Sequence, residues 1–167
     1  MAAHSAGILL HRMAASGLEV FIGHMGGPFW ARKQEHAWSI PKGEADPGES
    51  DLAVALREFA EEVGSPAPDA DYLELGTFRY SSGKTLTVFA GQAPGFDPDR
   101  IVSNEFELEW PPRSGRMQRF PEFDVARWVP VAEARTFVVA GQLPAVDALV
   151  RHLDQPTSAS SKKSPPG

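Results

Sequence analysis

The stretch from Gly43 to Ser65, GEADPGESDLAVALREFAEEVGS, constrains this chain more than any other. At roughly 100° per residue, Leu52, Leu56, Phe59 and Val63 share an arc about 60° wide. Glu58, Glu61 and Glu62 share an arc about 100° wide on the opposite side. The segment is therefore predicted to be a helix with one face for a core and one for carboxylates, stopped by Gly64 and Ser65-Pro66. Carboxylates three and four residues apart repel and weaken an isolated helix by a few tenths of a kcal/mol per pair. Arg57 offsets only part of that. A solvated acidic face is the plain alternative. A hard divalent cation would relieve the repulsion, because Mg²⁺ takes carboxylate oxygens together with phosphate oxygens and water.

The spacing carries a second message. Gly43, Glu49, Arg57, Glu58, Glu61, Glu62 and Gly64 stand in the pattern G-x5-E-x7-R-E-U-x-E-E-x-G-U, where U is bulky and apolar. With usage of roughly 7% per residue type, a chance match in such a chain is about one in a million. The stretch resembles the Nudix box of Nudix hydrolases. Phe59 fits the first U, whereas Ser65 departs from the second. The resemblance implies an α+β fold, an α/β/α sandwich whose mixed sheet is flanked by helices, with the box as loop–helix–loop. It implies Mg²⁺, or Mn²⁺ in its place, and hydrolysis of a phosphoanhydride in a nucleoside diphosphate linked to another moiety. By resemblance, Glu58 and Glu62, then Glu61, are the metal ligands, joined by the Gly43 carbonyl. Arg57 orients a box glutamate, Glu49 or Glu61, through a charge-assisted bond. A box glutamate, Glu58 first, acts as general base or holds the water. Some members recruit a base from a later loop, and Glu105 and Glu107 are the candidates here, with a solvated strand face as the alternative. An acid such as Glu49 at a helix start is also favourable for dipole reasons alone.

Ahead of the box, Trp38-x-x-Pro41-Lys42-Gly43 resembles the branch that hydrolyses diadenosine polyphosphates and related compounds, although Glu44 follows Gly43 where that branch often has histidine. This makes Lys42 a phosphate contact and a dinucleoside polyphosphate the first substrate class. A nucleoside triphosphate pyrophosphohydrolase that sanitises the nucleotide pool, and a non-catalytic nucleotide-binding module, are the alternatives. Arg32 and Lys84, with Lys33 and Arg79, are further phosphate-binding candidates. Tyr80, Phe29, Trp30 and Trp110 can stack on a base, core packing being the competing fate of each. Glu44 and Asp46 read as loop solvation, Trp128 as core, and His24 and His36 as solvated loop residues.

At 167 residues the chain is one domain's worth. Its net charge of −6, with no basic tract before residue 155, argues against a duplex nucleic-acid surface. The absence of cysteine excludes disulfides and thiolate chemistry. No apolar run reaches membrane-spanning length, and Ile8-Leu9-Leu10 is too short for a signal-peptide core, so a cytoplasmic protein is expected, monomer or homodimer. Strands are predicted at 5–12, 18–23, 38–40, 72–80, 84–92, 105–110 and 125–129, with loops at 24–37, 43–49 and 113–121 and helices at 131–139 and 143–153. Residues 1–154 form the domain, and 155–167, rich in Ser, Pro and Lys, a disordered tail.

Overall fold

The computed structural model describes residues 3–98 and 101–154. In chain order it holds β1 (His4–Ala14), β2 (Gly17–Met25), β3 (Trp38–Ser39), β4 (Lys42–Glu44), α1 (Asp51–Val63), β5 (Leu73–Arg79) and β6 (Thr85–Gln92). Then come β7 (Glu105–Glu109), β8 (Met117–Pro121), β9 (Phe123–Pro130), α2 (Val131–Phe137), a 3₁₀ turn at Ala140–Gln142 and α3 (Leu143–Asp154). The predicted tail lies outside the described residues.

β1 is the spine. Ala6, Ile8 and Leu10 point to one face and Leu9 to the other, and all four are fully buried because helices cover both sides. The β1–β2 hairpin pairs only His11–Ala14 with Gly17–Val20. Past that point the two strands accept different partners. β3 pairs with Gly23 and His24 of β2, while β4 pairs with Ser5–Gly7 of β1. The Ile8 N–H donates to the Pro41 carbonyl at 3.0 Å and closes the junction between them. β6 runs parallel to β1, β5 antiparallel to β6, and β9 antiparallel to β2, completing a seven-stranded mixed sheet.

α1 covers one face, where Val54, Phe59 and Val63 meet Ile8, Leu10, Phe21 and Phe89. Burying Phe59 completely contributes about 1.5–3 kcal/mol. α2 and α3 cover the other face over Leu9, Ile22, Trp38 and Val88. The predicted three-layer α+β arrangement is the observed one. None of the described helices is long and apolar enough to cross a membrane.

α1 begins at Ser50, whose hydroxyl accepts the Ala53 N–H at 3.2 Å. It ends at Gly64, which takes φ 91° and donates its N–H to the Ala60 carbonyl at 2.9 Å, as the glycine signal predicted. The loop before it is tied down by charge. Arg57 donates through Nε and Nη2 to the two oxygens of Glu49 at 2.9 and 2.8 Å, and Glu49 accepts the Asp46 N–H at 3.0 Å. Glu44 and Asp46 are exposed as predicted, although the Glu44 carbonyl also accepts from Arg57 at 3.3 Å.

Several predicted elements differ. Gly43 and Glu44, expected as loop, belong with Lys42 to β4, because the parted β1 offers them a row of free backbone groups. Met117–Pro121, also expected as loop, is β8, an antiparallel partner of β7 in a separate two-stranded ribbon. Its sequence lacks alternation, and the pairing comes from β7 instead. α2 stops at Phe137 rather than residue 139. Val139 is extended and donates its N–H to the Trp38 carbonyl at 2.9 Å. Trp128 is half-buried at the rim of the core. Its ring meets Phe21 at 5.6 Å, Nε1 donates to the Phe96 carbonyl at 2.8 Å, and Arg12 covers it at 4.4 Å.

Two outcomes are expected. The Ser65 hydroxyl is buried without a partner among the described residues, so Ser65→Ala should raise the unfolding free energy by about 1 kcal/mol in urea titrations. A loss of stability would contradict the unpaired hydroxyl. The Arg57 bond holds the Glu49 carboxyl at about 2, against an ordinary 4.5. That stabilisation is complete above the ordinary value and is lost as the pH falls toward the depressed one. Urea midpoints of wild type and Glu49→Gln should therefore converge as the pH falls from about 6 to about 2. A constant separation would contradict the clamp.

Candidate active site

α1 lies so close to β4 that the Glu58 carboxyl group fills the place a Cβ on Gly43 would need. Any side chain at 43 would have to displace that carboxyl. One turn further, Glu62 is 8% exposed, and its Oε1 accepts the Lys42 backbone N–H at 3.1 Å. Among the described residues no cationic side chain pairs with Glu62 within ion-pair distance. Burial pushes its carboxyl up to about 8. The Lys42 charge opposes that rise, and Glu122 and Glu58 add to it. Burial also raises Glu58, against the bond from Arg57. Besides gripping Glu49, Arg57 reaches Glu58 at 2.7 Å and Glu61 at 3.5 Å, and the bonds to Glu49 first and Glu58 next lift its pKa above its ordinary value.

A buried carboxylate is costly unless a cation compensates it. The arrangement thus suits a dication. Glu58, Glu61, Glu62 and the Gly43 carbonyl are hard oxygen donors on one side of α1 and β4. Among the described residues no three acidic or histidine side chains close around a common point. A hard cation held there would need oxygen ligands from outside the described side chains to complete its shell.

Beside Gly43, three further candidates meet. Lys42, Lys84 and Tyr80 line a cavity of about 140 Å³ with Ser5, Glu44 and Leu86. Tyr80 is fixed from behind, since its hydroxyl accepts from Gln142 Nε2 at 2.9 Å. Gln142 is wholly buried, donates also to Ser39 Oγ at 2.9 Å, and accepts the Ile40 N–H at 3.0 Å. It thereby sets the backbone two residues before Lys42. Nothing in the sequence marks it, because it belongs to no motif and lies 102, 103 and 62 residues away from Ile40, Ser39 and Tyr80.

Other candidates are placed elsewhere. Arg32, Lys33 and Arg79 are exposed, and Lys33 Nζ lies 5.7 Å from the Trp30 ring. Glu105 and Glu107 are exposed on β7, where Arg119 approaches them at 3.8 and 3.5 Å. The carboxylate beyond the box that bears on Glu62 is Glu122, between β8 and β9, whose backbone bonds Asn104 and Gly26. Sequence reading missed it because only the return of the ribbon brings it there. Trp30 lines a cavity of about 300 Å³ with Phe106 and Glu122, whereas Phe29 and Trp110 pack edge to face at 5.3 Å. His24 is buried, bonded to Asp124 at 2.9 Å and the Lys33 carbonyl at 2.8 Å, not solvated. His36 is exposed as expected and bonds the Val138 carbonyl at 3.0 Å.

Known proteins resemble this chain in sequence and in fold. The chain is 34% identical over 119 residues to the RNA pyrophosphohydrolase of Shigella boydii, a match covering 66% of this chain and 65% of that protein. It is 34% identical over 77 residues to the asymmetrical bis(5′-nucleosyl)-tetraphosphatase of Sus scrofa, covering 43% of this chain and 52% of that one. The chain thus spans just under two thirds of the length of the first relative and about half of the second. Among solved structures, the C. elegans Ap4A hydrolase in a binary complex superposes with a TM-score of 0.65 at 19% identity, over 90% of this chain and 97% of that one. The NUDIX domain of Shewanella oneidensis NrtR complexed with ADP ribose superposes with a TM-score of 0.60 at 15% identity, over 92% and 89%. These two likenesses speak for the fold alone. The family model described as NUDIX domain matches residues 5–149, from β1 into α3 and including the whole acid cluster: the chain belongs to the NUDIX family.

Proposed function

We propose that this chain hydrolyses a phosphoanhydride bond in a nucleoside diphosphate linked to another moiety, a dinucleoside polyphosphate first, with Mg²⁺ as cofactor. The observation that supports this most is Glu62, a buried carboxylate without a cationic partner among the described residues, set beside Glu58 and Gly43. Bound by Glu58, Glu61, Glu62 and the Gly43 carbonyl, the cation would supply positive charge to the diphosphate oxygens. Glu58 holds the attacking water and takes its proton, a role suited by a carboxyl raised through burial. Arg57 keeps Glu58 and Glu61 aimed while anchoring the loop through Glu49. Lys42 and Lys84 face the phosphate chain across their shared cavity, and Trp30 with Phe106 flanks a place for a base. Glu122 adds a further carboxylate next to Glu62.

A second substrate follows from the Shigella relative, whose name is RNA pyrophosphohydrolase. The same residues would act on a pyrophosphate group at an RNA 5′ end, since the reacting bond is the same. Product masses separate the two readings. Purified chain with Mg²⁺ is to be incubated with diadenosine tetraphosphate, nucleoside triphosphates and a 5′-triphosphorylated oligoribonucleotide. Cleavage of at least one is expected. Glu62→Gln and Gly43→Ala should each lower kcat/KM by roughly 100-fold or more, the scale of losing a charge stabiliser in the transition state. No turnover of any substrate, or wild-type turnover by Glu62→Gln, would contradict the proposal.

A further inference from the structure

The face of the sheet under α3 carries a further cavity, away from the acid cluster. It holds about 400 Å³ and lies between His11 on β1, Gln92 on β6, His152 near the end of α3, and Asp71 on the approach to β5. Gly7 of β1 pairs with Lys42, and His11 lies four residues further on, about 13 Å along the strand. None of the residues assigned to hydrolysis lines it.

His11 is the member that needs explaining. It is only 9% exposed, and neither ring nitrogen makes a hydrogen bond among the described residues. Its nitrogens are not sealed off either, since Ser65 Oγ is the sole closed and unpartnered side-chain atom described. His11 is one of the residues that line the cavity. The ring nitrogens therefore keep hydrogen-bonding capacity that no described residue uses and that a ligand would take up.

The chemistry of the walls narrows that ligand. Burial and the neighbouring His152 lower the His11 pKa, so its imidazole is neutral near pH 7 and offers one donor and one acceptor. Neutral imidazoles also suit a metal, but among the described residues no third His, Asp or Glu joins the pair around a point. Among the described residues no lysine or arginine lines the cavity and Asp71 does, which disfavours phosphate and other anions. The Gln92 amide presents a donor and an acceptor side by side, the pattern that reads the edge of an aminated heterocycle. Asp71 can accept from an exocyclic amino group. Leu73 and Ala90 give apolar surface for a flat ring, and the volume lies in the usual range of small-molecule sites.

We propose that this cavity binds an uncharged nitrogen heterocycle with an exocyclic amino group, of purine or purine-nucleoside size, at a site separate from the hydrolytic one. The proposal does not rest on hydrolysis, and its test contains no phosphoanhydride. Adenosine is the probe, titrated into the full chain while the His11 and His152 imidazole proton resonances are followed by NMR. Both resonances should shift saturably at low-millimolar adenosine or below. Gln92→Leu and His152→Ala alter exposed side chains, so folding is retained. Each should weaken binding at least tenfold. Glu62→Gln should leave it unchanged, whatever it does to turnover. Absence of a saturable shift would overturn the proposal, as would shifts that survive both cavity substitutions or vanish in Glu62→Gln.

Discussion

The close approach of α1 to β4 is the contact on which the rest of the molecule depends. Glu58 lies where any side chain at 43 would have to displace it, and Glu62 is pinned by the Lys42 N–H. That approach requires β4 to exist, and β4 exists because β1 and β2 pair over only their hairpin ends. A long β1 that stayed paired with β2 throughout would leave no edge for Lys42–Glu44. The apolar face of α1 then supplies the force. Phe59 and Val54 are wholly buried on β1, β2 and β6, so the carboxylate side is pressed toward β4, not released to water.

Charge is handled in two portions. Arg57 neutralises what it can reach, with Glu49 held in a fork and Glu58 and Glu61 within 2.7 and 3.5 Å. Glu62 lies beyond it, dry and with the like charges of Glu58 and Glu122 nearby. Such a group costs folding energy in the free protein. Natural folds tolerate costs of that kind where a ligand recovers them. The acid cluster thus draws on the stability of the fold that holds it.

Much of this was legible in the sequence, and what was not has physical reasons. α1, its Gly64 stop and its two faces follow from periodicity alone, because a helix is a local object. The β5–β6 hairpin was likewise announced by its turn residues. β4 and β8 were not, since three or five residues without alternation become strands only when another strand offers them an edge. Glu122 and Gln142 were missed for a related cause. Each acts through partners many residues away, Gln142 on Ser39, Ile40 and Tyr80. His24 reads as a loop histidine in the chain, yet in the fold it is a buried strut. Lys42, Lys84 and Tyr80 were named separately, and the fold brings them to one cavity.

The account stands on Glu62 being a carboxylate kept for a cation and not for the fold. Thermal unfolding of wild type and Glu62→Gln, each in EDTA and in millimolar Mg²⁺, tests this directly. Without metal the variant should unfold at the same or a higher temperature than wild type, and Mg²⁺ should raise the Tm of wild type alone. An equal Mg²⁺ response in both proteins, or a variant that is markedly less stable in EDTA, would contradict it.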